Sequence, residues 1–229
     1  MFDFIEKFKV ARKLKEFYIS EHPELQRIRV SNVKKFSVGT VHNMYSFCLK
    51  YYNGIREYSE EFVIKIYSGK KEPADRCRRE FKIMKCLADT EIPVPYPHFM
   101  QLENEFFEMP FLIMDKVSGK TLLEEISNCL ETDQFICLDR FVELLIAVHS
   151  LNIYKTGLDS VDVLTMPYEY ADLCLEKVER MLELANSEYT EHVYEWLIEE
   201  RNNVACRHYV FIHGNVHLEK VIVGDGQIG

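Results

Sequence analysis

The sequence predicts an α+β protein built as two lobes, an N-terminal antiparallel sheet with one helix and a mostly helical C-terminal part. Three observations predict it. Between Arg27 and Tyr67 the chain runs through RIRVSNVKKF, VHNMYSFCLKYY and EEFVIKIY, stretches whose β-branched and aromatic residues suit a pleated, half-buried surface. After Gly119 apolar residues recur at helical spacing through most of the chain. Between the two textures stand Pro93, Pro95 and Pro97, which disfavour helix at their own positions and at the residues before them.

Each element follows in order. Phe2, Ile5, Phe8, Leu14 and Phe17 lie near one face of an opening helix with Lys and Glu elsewhere, so that helix docks on a neighbour. Three strands follow, with Asn53-Gly54 between the second and third as a two-residue hairpin signal. ADRCRREFKIMKCLADT then sets Cys77, Phe81, Met84 and Leu87 or Ala88 on one helical face. HFMQL and FEMPFLIMDKV supply two more strands and complete a five-strand sheet. TLLEEISNCL, FICLDRFVELLIAVHSL, YADLCLEKVERMLELAN and EHVYEWLIEERNNV read as helices. YVFIHGNVHLEKVIVGDGQIG reads as a short buried strand, a polar loop, and a hairpin turning at Asp225-Gly226. The open edge of that hairpin could pair with another chain, and the oligomeric state is left open.

Composition narrows the function classes. The 229 residues are 47% hydrophobic and 28% charged, a globular mix that excludes a collagen-like, disordered or disulfide-dense protein. The net charge of −9 is unevenly divided, +6 over residues 1–100 and −15 over 101–229. The first part would draw phosphate-rich ligands and the second cationic ones. A duplex nucleic-acid binder needs a concentrated basic face that this chain lacks, so no nucleic-acid partner is expected. Seven scattered cysteines lack zinc or redox spacing, no apolar run reaches membrane-spanning length, and charges at Asp3, Glu6, Lys7 and Lys9 interrupt any secretory core. The expectation is a cytoplasmic protein without a membrane partner.

The candidate functional residues fall in three places. Lys65 interrupts the apolar strand Val63-Ile64-Lys65-Ile66, either as an edge-strand lysine or as a cation directed into a cleft to grip phosphate oxygens. Glu80 follows fifteen residues later on the amphipathic helix and could hold that lysine by an ion pair. Ser37, Gly39 and Thr40, in the connection after the first strand, form either an ordinary turn or a loop whose N–H groups cover a phosphate. The polar stretch HGNVHLEK gathers His213, Asn215, His217, Glu219 and Lys220.

The HGxxH pattern at His213–His217, preceded by the helix end AVHSL and by FVIKIY, resembles the aminoglycoside phosphotransferase and choline kinase-like family, which has a two-lobed protein-kinase-like fold. The resemblance runs from about Phe36 to Gly229. It implies a nucleotide-binding lobe over 1–117 and a helical lobe with a catalytic-loop-like segment over 118–229. It implies ATP as cofactor and Mg²⁺ as the family's metal, with phosphoryl transfer to a small hydroxyl-bearing acceptor. The acidic second part would suit a cationic acceptor. Lys65 would take the strand lysine's place on the phosphates and Glu80 its helix partner's. The backbone of Asp115, Lys116 and Val117 would hold adenine, and Asn215 would stand at the catalytic Asp position with His213 organising the loop.

Three departures accompany the resemblance. Asn215 is an amide, able to hold a hydroxyl but not to take its proton. Lys220 stands at the family's metal-binding Asn, and an ammonium has only donors, so it cannot ligate a cation. The family's second metal-binding Asp does not occur before Gly229, so the sequence reads as C-terminally truncated, with an incomplete helical lobe and no metal ligands of its own. Two readings stay open: a phosphotransferase with impaired transfer, or a non-catalytic nucleotide-binding pseudokinase or truncated inactive gene product.

Overall fold

A computed structural model of the chain describes residues 2–36, 42–68, 72–158, 164, 166–185, 188–206, 209–224 and 227–228. Ser37, Gly39, Thr40 and the Asp225-Gly226 turn lie outside the described residues. The α+β architecture is as predicted. Helix α1 (Phe2–Glu21) leads into β1 (Gln26–Lys35), β2 (His42–Tyr52) and β3 (Glu57–Tyr67), then α2 (Pro73–Ala88), β4 (Pro97–Gln101) and β5 (Phe111–Asp115). The five strands form one antiparallel sheet in the order β1-β2-β3-β5-β4.

Strand alternation gives that sheet two buried faces. On one, Phe62, Ile64 and Ile66 of β3 and Phe111 and Ile113 of β5 join Tyr45, Phe47 and Leu49 and pack against Val10, Leu14, Phe17 and Tyr18 of α1. On the other, Val63, Tyr67, Leu112 and Met114 meet Cys77 and Met84 of α2. The docking face of α1 differs from the expected one at Phe8, which is 66% exposed while Val10 is buried. Leu14 and Phe17 of the expected face do lie over the sheet, joined by Val10.

Two local readings are corrected. Asn53-Gly54 begins a four-residue loop, because Tyr52 and Glu57 are the last paired residues of β2 and β3. The Asn53 carboxamide oxygen accepts from the N–H groups of Ile55 and Arg56, each at 3.0 Å, and widens the turn. The strand expected before His213 is not formed: residues 209–213 pair with no strand among the described residues, and Ile212 is 47% exposed. Apolar, β-branched composition alone does not supply a ladder partner.

Beyond Asp115 come β6 (Lys120–Thr121), α3 (Leu122–Asn128) and α4 (Glu131–His149). Thr121 caps α3 with a reciprocal capping box, its hydroxyl accepting from Glu124 N–H at 3.1 Å while the Glu124 carboxylate accepts from Thr121 N–H at 2.9 Å. β6 pairs with β7 (Ile222–Gly224), and β7 with β8 (Gln227–Ile228). This second sheet joins residues about a hundred positions apart. It closes tightly at two glycines: a Cβ on Gly119 would collide with the Val223 carbonyl, and one on Gly224 with the Ser118 carbonyl. Gly119 also has φ +144°, a conformation that side chains disfavour.

By packing the chain divides into two units, residues 1–147 with 213–229, and residues 148–212. This division cuts the chain elsewhere than the 1–117 and 118–229 lobes read from the sequence. In the second unit, α5 (Glu169–Ala185) and α6 (Glu188–Glu200) pack together, and Arg201 forks onto Asp172, its second nitrogen donating at 2.6 Å. No described helix is long and apolar enough to cross a membrane.

Candidate functional site

The first unit contains every candidate site residue that the structure describes. Lys65 pairs across β3–β5 with Leu112 and across β2–β3 with Met44, so it is a central-sheet residue and not an edge-strand lysine. Its position between Val63 and Tyr67 turns its side chain to the α2 face. There its Nζ donates to both Glu80 carboxylate oxygens at 2.7 Å. The lysine side chain is 16% exposed and the glutamate 34%, so the pair is half sunk into the sheet–helix seam and still open on one side. Charge-assisted bonds in such a place are stronger than on an open surface.

Tyr67 joins them. Its ring centroid lies 5.2 Å from Lys65 Nζ, and its phenol sits beside Glu80, where burial first and the glutamate charge second push its pKa far up. Sequence reading missed Tyr67. The signal was present in Val63-Ile64-Lys65-Ile66-Tyr67, where alternate residues share a face.

Asp115, Lys116 and Val117 leave the end of β5. The Asp115 N–H donates to Tyr96 O at 2.9 Å and the Lys116 N–H to Glu61 O at 3.2 Å. The Val117 N–H has no partner among the described residues. The Asp115 carboxylate meets His98 Nε2 at 2.7 Å, and Lys116 Nζ meets Glu61 at 2.7 Å.

The loop after residue 212 is organised by its own polar groups. Asn215 N–H donates to His213 Nδ1 at 3.3 Å, which makes that nitrogen an acceptor and leaves Nε2 to carry the proton of the neutral ring. Gly214 between them has φ +76°. A 3₁₀ turn over Leu218–Lys220 follows, and Lys220 Nζ donates back to the Asn215 carbonyl at 3.0 Å. His213 as a residue is exposed, yet its ring loses enough hydration for burial to be the first cause lowering its pKa. Lys220 lowers it next, then His217 and Lys65, while Glu80 opposes them. The loop therefore lies within the electrostatic reach of the Lys65–Glu80 pair. The structure joins Lys65 to Glu80 and, separately, His213, Asn215 and Lys220 within one loop.

Chemically, the arrangement presents two ammonium groups, one carboxylate already bound to a lysine, a neutral imidazole and an amide. It can hold an anion and orient a hydroxyl. It has no free carboxylate at Asn215 to take a proton. Glu219 lies 3.8 Å from His217 Nδ1 rather than at Asn215.

The family model described as the phosphotransferase enzyme family matches residues 49–229. No curated protein matches the chain by sequence. Solved structures do match in fold. A Ralstonia eutropha protein assigned as an aminoglycoside phosphotransferase aligns with a TM-score of 0.66 at 15% identity, over 95% of this chain and 62% of its own. APH(2″)-IIIa in its GDP and kanamycin complex aligns with a TM-score of 0.63 at 13% identity, over 92% of this chain and 67% of its own. The chain thus spans about two thirds or less of the length of these neighbours. The Mg²⁺ that the resemblance implies does not fit the residues present. Lys220, where the resemblance implies an oxygen ligand, offers an ammonium, and the described residues contain no group of three or more His, Cys, Asp or Glu able to hold a metal.

Proposed function

Because the chain belongs to the phosphotransferase enzyme family, we propose that it binds a nucleotide, ATP in the simplest case, at Lys65 and Glu80 and transfers a phosphoryl group only slowly to a small hydroxyl-bearing acceptor. The observation that carries the reading is the Lys65–Glu80 pair, 2.7 Å to both oxygens and part-buried between β3 and α2. Glu80 fixes the ammonium so that its orientation is set before a phosphate arrives, which lowers the ordering cost of binding. The unpartnered Val117 N–H is the donor that would meet the base. Asn215 would hold the acceptor hydroxyl by its amide, and His213 would keep that amide's backbone in place.

Transfer is slow in this reading because the amide takes no proton, and a missing general base typically costs roughly 10² to 10⁴ in rate. Positioning and charge still support phosphoryl transfer, so residual turnover is expected. The acceptor is cationic, matched to the −15 balance of residues 101–229, and the protein works in the cytoplasm. The Lys220 ammonium favours a second reading, a nucleotide-binding pseudokinase without turnover, because it repels the metal on which transfer in the family depends.

Calorimetric titration with ATP, ADP, GTP and GDP tests the reading. Binding of at least one of them, weakened about tenfold or more by Lys65→Met, is expected. Absence of binding by all four overturns it. ADP release with a panel of aminosugars and amino alcohols separates slow transfer from none.

A further inference from the structure

We infer that the hairpin end of the five-strand sheet carries a second anion site, separate from Lys65 and Glu80, that takes a small phosphate-class dianion, inorganic phosphate or a phosphate monoester. The place is an open cavity of about 260 Å³ whose lining includes Arg27 and Arg29 of β1, Lys50 of β2, and Glu57 and Ser59 of β3. Strand register sets three of these side by side: Arg29 pairs with Lys50, and Lys50 with Ser59. Two cations directly opposite on neighbouring strands repel each other. Among the described residues no carboxylate pairs with Arg27, Arg29 or Lys50, and Glu57 pairs with no cation.

The backbone adds the third cation. β1 shifts register between Gln26 and Arg29, and within that bulge Arg27 takes φ +54°, a conformation uncommon for residues other than glycine. Bulges re-aim the side chains they carry. The Arg27 guanidinium lies 5.5 Å from the centroid of the Tyr52 ring, and Tyr52 shares its sheet face with Lys50. Three cations therefore gather around one carboxylate, and a dianion balances the surplus where a monoanion does not. Guanidinium forks and an ammonium suit phosphate oxygens through charge-assisted bonds. The cavity is smaller than the roughly 300–1,000 Å³ of drug-sized ligand sites, so the ligand is small. A phosphate concentrates both charges on one tetrahedral group, which side chains converging from two strands can reach together. Ser59 precedes Lys65 by six residues on β3, roughly 20 Å along the strand, so the inference stands apart from the proposed nucleotide site.

The test titrates the full chain with inorganic phosphate at low ionic strength, read by the backbone amide resonances, with succinate as the competing class of dianion. The amides of Arg27, Arg29 and Lys50 are expected to shift together and saturate with phosphate. Arg29→Gln and Lys50→Gln are each expected to weaken that binding about tenfold or more, while Lys50→Arg keeps the charge and binds like wild type. Without phosphate, Lys50→Gln is expected to unfold at the same or a higher urea concentration, because a like-charge contact is gone; its loss of binding is then not a loss of fold. Phosphate shifts confined to the surroundings of Lys65 and Glu80, or absent everywhere, overturn the inference. So does a Lys50→Gln variant that binds phosphate as wild type does, and so does succinate binding as tightly as phosphate.

Discussion

Lys65 and Glu80, fifteen residues apart, meet through two hydrogen bonds of 2.7 Å between one ammonium and both oxygens of one carboxylate. The pair ties the central strand β3 to α2 and orients the lysine. Glu80→Gln removes the charge that holds it and leaves a mostly buried ammonium without its counter-ion. The expected result is a loss of about 1–3 kcal/mol in urea unfolding, together with weaker nucleotide binding. Lys65→Met is expected to weaken that binding about tenfold or more while costing less stability, because an apolar chain fills the same seam.

The charge state of His213 is set by its neighbours. Its pKa lies below the usual 6.5, through partial burial first and the Lys220 ammonium second. The folded protein therefore holds the neutral ring longer on acidification than the unfolded chain does. That stability is present in full above about pH 6.5 and is lost as pH falls toward the folded pKa, because the unfolded state then binds more protons. In an NMR titration the His213 ring is expected to titrate below that value. Lys220→Met is expected to move its midpoint upward.

Restoring a carboxylate at Asn215 tests the missing base. Asn215→Asp is expected to raise phosphoryl transfer, read as ADP release with a responsive acceptor, by roughly 10² or more. Adding Lys220→Asn is expected to make that turnover depend on Mg²⁺.

The two glycines of the second sheet admit no side chain. Gly119→Ala combines a collision at the Val223 carbonyl with a disfavoured φ of +144°. It is expected to destabilise the protein by at least about 2 kcal/mol in urea unfolding. Gly224→Ala, which meets the Ser118 carbonyl, is expected to do the same.

Phe17 is fully buried and meets the rings of Tyr18, Phe99, Phe106 and Phe111 edge-on at 5.2–5.7 Å. Phe17→Ala is expected to cost about 3–5 kcal/mol, read as a fall in the thermal midpoint.

Local pattern made the N-terminal sheet legible. The alternation in Val63–Tyr67 and the spacing of Cys77, Met84 and Leu87 gave the faces that bring Lys65 to Glu80. Patterns that depend on distant partners were not legible. Lys120-Thr121 is too short to read as a strand until Ile222 and Val223 pair with it. Residues 209–212 carry strand-forming side chains but find no ladder. The bulges of β1, with positive φ at Arg27 and Asn32, follow from the register against β2 and not from residue type. In the site, Asn215 and Lys220 were legible as residue types, while the Nζ–carbonyl bond between them needed the turn.

The pairing of β6 with β7 has a consequence for the order in which the protein forms. The first packing unit includes residues 213–229, so its last ladder waits until Ile222–Ile228 have left the ribosome. Contacts of such long separation form late and slow folding. The five-strand sheet and α1 can condense from the first 115 residues as the chain emerges. Until β7 arrives, a nascent chain would hold the Lys65–Glu80 pair but not the ordered loop of His213 and Asn215, so the two parts of the candidate site form at different times.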